Sequence, residues 1–122
     1  MRVLAVFILL FVFVSAGAYS KEFFVGRNGE VRVKNFDAKV TQDSRSKIFH
    51  LSAEVDGGNK CSKGQLFIVY SLNKNTSIGS MTIPFKDYDG YFMKVKDYRR
   101  YSKKVNIKDY YISSVQFACF IK

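Results

Sequence analysis

Apolar and polar residues alternate along much of this chain with a period of two, the signature of strands half-buried against a core. Phe49, Leu51, Ala53 and Val55 share one parity, with His50, Ser52 and Glu54 on the other. Asp56-Gly57-Gly58-Asn59 closes that run with turn-forming residues. Residues 65–72 are apolar on both parities (Leu66, Ile68 and Tyr70 against Phe67 and Val69), which predicts a central strand. Met81, Ile83 and Phe85 predict another, and Val105 with Ile107 a short one. The last runs over 110–121, with Val115, Phe117, Cys119 and Ile121 on one face. Near the start, Val31 and Val33 take one parity while Phe36, Ala38 and Val40 take the other. A β-bulge near Asn35 reconciles the two. Phe23, Phe24 and Val25 predict an extra short strand, as do Tyr91, Met93 and Val95. Residues 94–104 read as a helical turn or a polar loop. Seven or eight short, mainly antiparallel strands at turn-like spacing predict an all-β fold, a small single-domain β-sandwich.

The first residues change the compartment. Met1-Arg2 is followed by 12 apolar residues, Val3 to Val14, and then by Ser15-Ala16-Gly17-Ala18. A short positive start, an apolar stretch and a small-x-small ending describe an export signal, cut after Ala18 with Ser20 as the fallback. A spanning helix needs about 20 apolar residues, so the stretch is too short for an anchor. Residues 1–18 are thus read as a signal peptide and 19–122 as one secreted, extracellular domain without a transmembrane segment. In that setting Cys61 and Cys119 are expected to form a single disulfide. Asn75-Thr76-Ser77 has the form of an N-glycosylation sequon and sits among turn-forming residues.

The chain carries 20 Lys+Arg against 10 Asp+Glu, a net charge of +10, and losing Arg2 with the leader takes this to +9. Such a balance favours acidic partners. The basic residues concentrate in one segment together with tyrosines. It begins with Tyr91, Lys94, Lys96, Tyr98 and Arg99 and continues through Arg100, Tyr101, Lys103, Lys104 and Lys108. Tyrosine offers a flat apolar face with a polar tip, and arginine a planar fork for carboxylate, sulfate or phosphate. The segment therefore suits an acidic glycan, a membrane surface or an acidic protein, and export disfavours nucleic acid. The plainer reading is a solvated strand edge whose lysines prevent strand-to-strand association.

Catalytic and metal signatures are weak. Asp87-Tyr88-Asp89-Gly90 resembles the opening of a calcium loop, but no glutamate follows at the closing position, which favours a β-turn. His50 is the one histidine and lies on the polar parity of its strand. Two cysteines and one histidine do not make a zinc site. Ser44-Arg45-Ser46-Lys47 and Ser71-Leu72-Asn73-Lys74 match Ser-x-x-Lys without its companion motifs. No cofactor, no metal and no enzymatic activity are expected.

Cys61-Ser62-Lys63-Gly64-Gln65, running into an apolar strand ending near Tyr70, resembles a short stretch of the MD-2-related lipid-recognition domains. Those are exported β-sandwiches that hold a lipid between their sheets. The likeness covers about ten residues, and this chain is shorter, with one bridge where that family usually has several. The resemblance implies the alternative function, a carrier of a lipid or other apolar ligand. The first expectation is a secreted, non-enzymatic binding or effector protein whose basic surface meets an acidic extracellular partner.

Overall fold

The computed structural model describes residues 21–72 and 78–122. The leader, its cleavage point and Asn75 lie outside them. The described residues form seven strands and no helix: β1 (Phe23–Val25), β2 (Val31–Gln42), β3 (Ser46–Asp56), β4 (Cys61–Leu72), β5 (Ile78–Tyr88), β6 (Met93–Ser102) and β7 (Tyr110–Ile121). They build two antiparallel sheets, one of four strands in the order β1-β2-β3-β6 and one of three in the order β5-β4-β7. This is the expected β-sandwich.

Each sheet turns one parity of its strands inward. Phe49, Leu51, Ala53 and Val55 of β3 are buried against Leu66, Ile68, Tyr70 and Leu72 of β4 and Ile112 and Val115 of β7. The ring of Phe49 lies 5.1 Å from that of Tyr70 and 5.8 Å from that of Tyr110, so aromatic side chains span the space between the sheets. Burying a ring of this size stabilises by about 1.5–3 kcal/mol relative to leaving it in water. β4 is the centre of its sheet, as its apolar run predicts. Its second parity, Gln65, Phe67 and Val69, is only half-buried, because the outer face of a sandwich meets solvent.

Bulges reconcile the changes of parity. The β2–β3 register shifts between Lys34 and Asp37, and Asn35 has a φ of 53°. A left-handed residue there adds one position and moves the inward parity from Val31 and Val33 to Phe36 and Ala38. β7 shifts against β4 between Val69 and Tyr70, and again between Lys63 and Gly64, leaving Ser113 and Phe120 as the extra residues. The second shift explains the glycine of the Cys-Ser-Lys-Gly run. A side chain at Gly64 meets the Ala118 carbonyl and the Phe85 ring, so only a hydrogen fits.

Two expectations are corrected. Residues 94–102, expected within a helical turn or loop, continue the strand that begins at Met93, because β6 pairs with β3 along its whole length, from Val55↔Met93 to Ser46↔Ser102. Val105 and Ile107 do not form a strand. Val105 N–H donates to the Ser102 carbonyl at 3.0 Å in a turn, Lys47 Nζ donates to the Val105 carbonyl at 2.7 Å, and Ile107 packs into the core from an irregular connection. Two apolar residues two apart satisfy a loop that covers one end of the core as well as they satisfy a strand. Among the described residues no helix is long and apolar enough to cross a membrane.

Candidate anion-binding face

The outer face of the four-stranded sheet carries a polar surface built from three strands. Antiparallel register places Lys94 opposite Glu54, Lys96 opposite Ser52 and Tyr98 opposite His50. From the other side, β2 sets Asp37 opposite Ser52 and Lys39 opposite His50. These residues apart from Glu54, together with Thr41 and Asp97, line a depression of about 990 Å3. Tyr98 is 54% exposed and its ring lies 6.0 Å from that of His50.

His50 reports the electrostatics of this surface. Its Nε2 shares a 2.9 Å hydrogen bond with the Thr41 hydroxyl. Partial burial lowers its pKa from the ordinary 6.5, and the positive charges of Lys39 and Lys96 lower it further. Burial first, and the two lysines second, therefore favour the neutral imidazole. Lys39, Lys94 and Lys96 make no ion pair with an acid among the described residues, and every Asp and Glu of the chain is described. Asp97 accepts from the Tyr98 backbone N–H at 2.8 Å.

The basic segment is divided by the pleat of β6. Lys94, Lys96, Tyr98 and Arg100 share its outward parity, whereas Arg99 and Tyr101 share the inward one with Val95. Arg99 Nη1 donates to the Ser80 carbonyl of β5 at 2.6 Å, and the Tyr101 and Tyr70 hydroxyls share a 2.6 Å hydrogen bond. Both residues join the two sheets at the β5–β6 seam. Arg100 is engaged by the β2–β3 turn, donating from Nη1 to Asp43 Oδ2 at 3.0 Å and to Ser46 Oγ at 3.1 Å. Asp43 also accepts from the Arg45 and Ser46 backbone N–H groups. These two donors, followed by Arg100 and the Ser46 hydroxyl, hold its carboxyl well below the usual carboxylate range. Tyr91 lies in the β5–β6 turn, Lys103 and Lys104 in the turn after β6, and Lys108 in the connection to β7.

Of the ten residues in the predicted surface, then, the sheet face gathers Lys94, Lys96 and Tyr98, with Arg100 at its end. It adds Lys39, Thr41 and His50, which come from other strands. Their outward parity was readable in the alternation of β2 and β3, but their meeting with β6 depends on the strand register.

The remaining candidate chemistry resolves into structure. Cys61 and Cys119 are joined, with Cα atoms 5.9 Å apart, and tie the start of β4 to the end of β7. In the Asp87–Gly90 run Tyr88 is buried, and Asp89 Oδ1 accepts from the Tyr91 and Phe92 backbone N–H groups at 2.8 and 3.2 Å. It is a turn closed by its own aspartate. Among the described residues no group of three or more His, Cys, Asp or Glu is placed to hold a metal. The chain has no match among protein-family models, curated proteins or solved structures.

Proposed function

We propose that the processed chain is a secreted, non-enzymatic binding protein whose four-stranded sheet face grips a sulfated or carboxylated glycan. The observation that carries this is the depression bordered by Lys39, Lys94 and Lys96 around a neutral His50 and an exposed Tyr98. Cations without acidic partners attract the polyanion, the tyrosine ring offers a sugar its flat face, and Thr41 and Ser52 add hydroxyls. An open depression suits an extended chain better than a small ligand, which is usually enclosed on most sides. The disulfide accords with export. Carriage of a lipid between the sheets is the weaker reading, because Phe49, Tyr70 and Tyr110 occupy the middle of the interior in mutual contact.

The test is retention of the processed protein on immobilised heparin in a salt gradient. Exposed charge contacts are worth up to about 1 kcal/mol each, so the variant K39Q/K94Q/K96Q should bind roughly tenfold or more weakly and elute at lower salt. Elution of that variant together with the wild type would overturn the assignment. Mass spectrometry of protein collected from a secreting cell checks export itself, through loss of residues 1–18 and any sugar on Asn75.

A further inference from the structure

The strand topology brings one set of chain segments to the disulfide end of the sandwich: the ends of β3, β5 and β7 and the starts of β4 and β6. Two turns meet there. The Tyr88 hydroxyl, at the end of β5, donates to the Gly57 carbonyl of the β3–β4 turn at 2.5 Å. Gly90 packs so closely on Gly58 and Lys60 that an added Cβ would stand 3.1 Å from the Gly58 carbonyl oxygen and 3.4 Å from the Lys60 nitrogen. Its φ of 90° also suits glycine. With Asp89 closing the β5–β6 turn and the Cys61–Cys119 bond beside it, this end is braced covalently and by hydrogen bonds.

The braced end nevertheless leaves large apolar side chains uncovered. Tyr91 is 80% exposed, Phe92 52% and Phe120 59%. Phe120 is the extra residue of the β7 bulge and, with Pro84 and Phe85, lines a shallow apolar depression of about 460 Å3 flanked by Lys63 and Lys86. Those two lysines face each other across β4 and β5, a like-charge pair that destabilises a sheet unless an anion lies against it.

Acids at this end are already engaged. Asp56 binds Arg32 and Lys34, Glu30 accepts from the Asn28 N–H, and Asp89 holds its turn. Only Asp87 makes no such contact, and Lys60, Lys63 and Lys86 have no acid within ion-pair distance.

We propose that this end docks on an anionic phospholipid surface, with Tyr91, Phe92 and Phe120 entering the interfacial layer and Lys60, Lys63 and Lys86 meeting the headgroups. Aromatic side chains favour the boundary between hydrocarbon and water, and lysines near the surface add attraction to anionic lipid. A turn already fixed by Asp89 has little freedom left to lose on docking. The site uses different residues from the sheet face, although Lys94 of that face follows Phe92 by two, and it stands or falls independently of the glycan reading.

The test is co-sedimentation of the processed protein with phosphatidylcholine vesicles, with and without phosphatidylserine. The wild type should sediment with phosphatidylserine-containing vesicles and be released by salt. Moving two aromatic rings back into water should lower the partition of Y91S/F92S roughly tenfold or more. K63E/K86E should lower it by a similar factor, since each lysine counts for about 1 kcal/mol near an anionic surface. K39Q/K96Q, which keeps Lys94 beside the turn, should sediment like the wild type. Matching thermal unfolding curves would show that these exposed substitutions leave the fold intact. Wild type that ignores both kinds of vesicle overturns the proposal, as does Y91S/F92S that binds unchanged. So does a concentration-dependent dimer that Y91S/F92S abolishes without any vesicle binding.

Discussion

At one end of the sandwich a covalent bond joins β4 to β7 and the Tyr88 hydroxyl pins the β3–β4 turn. At the other end and along the β5–β6 seam the joints are polar: Tyr101 to Tyr70, Arg99 to the Ser80 carbonyl, Lys47 to the Val105 carbonyl and Arg100 to Asp43. The disulfide is indifferent to salt, while the polar joints depend on individual hydrogen bonds. The exposed aromatic residues Tyr91, Phe92 and Phe120 sit at the covalently braced end. That combination suits a surface that must stay in shape while remaining uncovered.

The largest effect expected from breaking this contrast is loss of the disulfide. A sequence separation of 58 residues corresponds to about 4 kcal/mol of restrained unfolded-chain entropy. C61A/C119A should therefore lower the urea midpoint substantially, since about 4 kcal/mol is between roughly a quarter and four fifths of the typical 5–15 kcal/mol margin of a small domain. An unchanged midpoint would mean that the polar joints alone hold the sheets together.

Next comes the tyrosine pair. Tyr70 is fully buried, and its pKa is driven up from the ordinary 10.0, first by burial and then by the hydrogen bond to Tyr101. Tyr101→Phe leaves the buried Tyr70 hydroxyl without its partner and should cost about 1–3 kcal/mol. Tyr70→Phe leaves the partly exposed Tyr101 hydroxyl able to reach water and should cost less. Y70F/Y101F should recover part of the loss of Y101F, because no buried hydroxyl remains unpaired. Additive losses in the double variant would mean that the two hydroxyls are not coupled.

This seam is also where the sequence was hardest to read. β3 was legible because every inward position is apolar, and the bulge at Asn35 was legible as a change of parity between Val33 and Phe36. β6 was legible only at its start, Met93 and Val95, because the positions that follow on that parity are Asp97, Arg99 and Tyr101. Arg99 and Tyr101 do their inward work by hydrogen bonding to β5 and β4, and periodicity detects only hydrocarbon burial. The candidate face was half-legible for a related reason. Lys94, Lys96 and Tyr98 are spaced two apart on one strand, but Lys39 and His50 join them through strand register, which depends on pairing far along the chain.

Tyr88→Phe tests the braced end more gently. Loss of the hydrogen bond to the Gly57 carbonyl should cost about 1 kcal/mol at neutral pH. The native Tyr88 pKa is pushed up to about 12, first by burial and then by Asp56 and Asp89, whereas the unfolded value is 10.0. Stability from this group is thus fully present below pH 10.0 and declines as the pH rises toward about 12, since the unfolded chain releases the proton first. Y88F should lose that part of the alkaline decline. Equal alkaline slopes in the two proteins would show that Tyr88 is not the group responsible.

The smallest effect is acid-side and concerns the sheet face. His50 has a native pKa lowered below 6.5, so as the pH falls through 6.5 the unfolded chain takes up a proton before the native protein does. Stability is greatest above that value and declines below it until the native imidazole titrates too. His50→Gln, which keeps a partner for Thr41, should flatten the slope. The same imidazole reads the field around it. After burial, Lys39 on β2 and Lys96 on β6 lower its pKa, and Asp37 and Asp97 line the same hollow. Titration by NMR should show the His50 pKa rising in K39Q/K96Q, and rising in the wild type when heparin fills the depression, because a bound polyanion cancels the lysine charge. A His50 pKa that responds to the lysine substitutions but ignores saturating heparin would place the polyanion elsewhere on the molecule, since the field would be real and the depression empty.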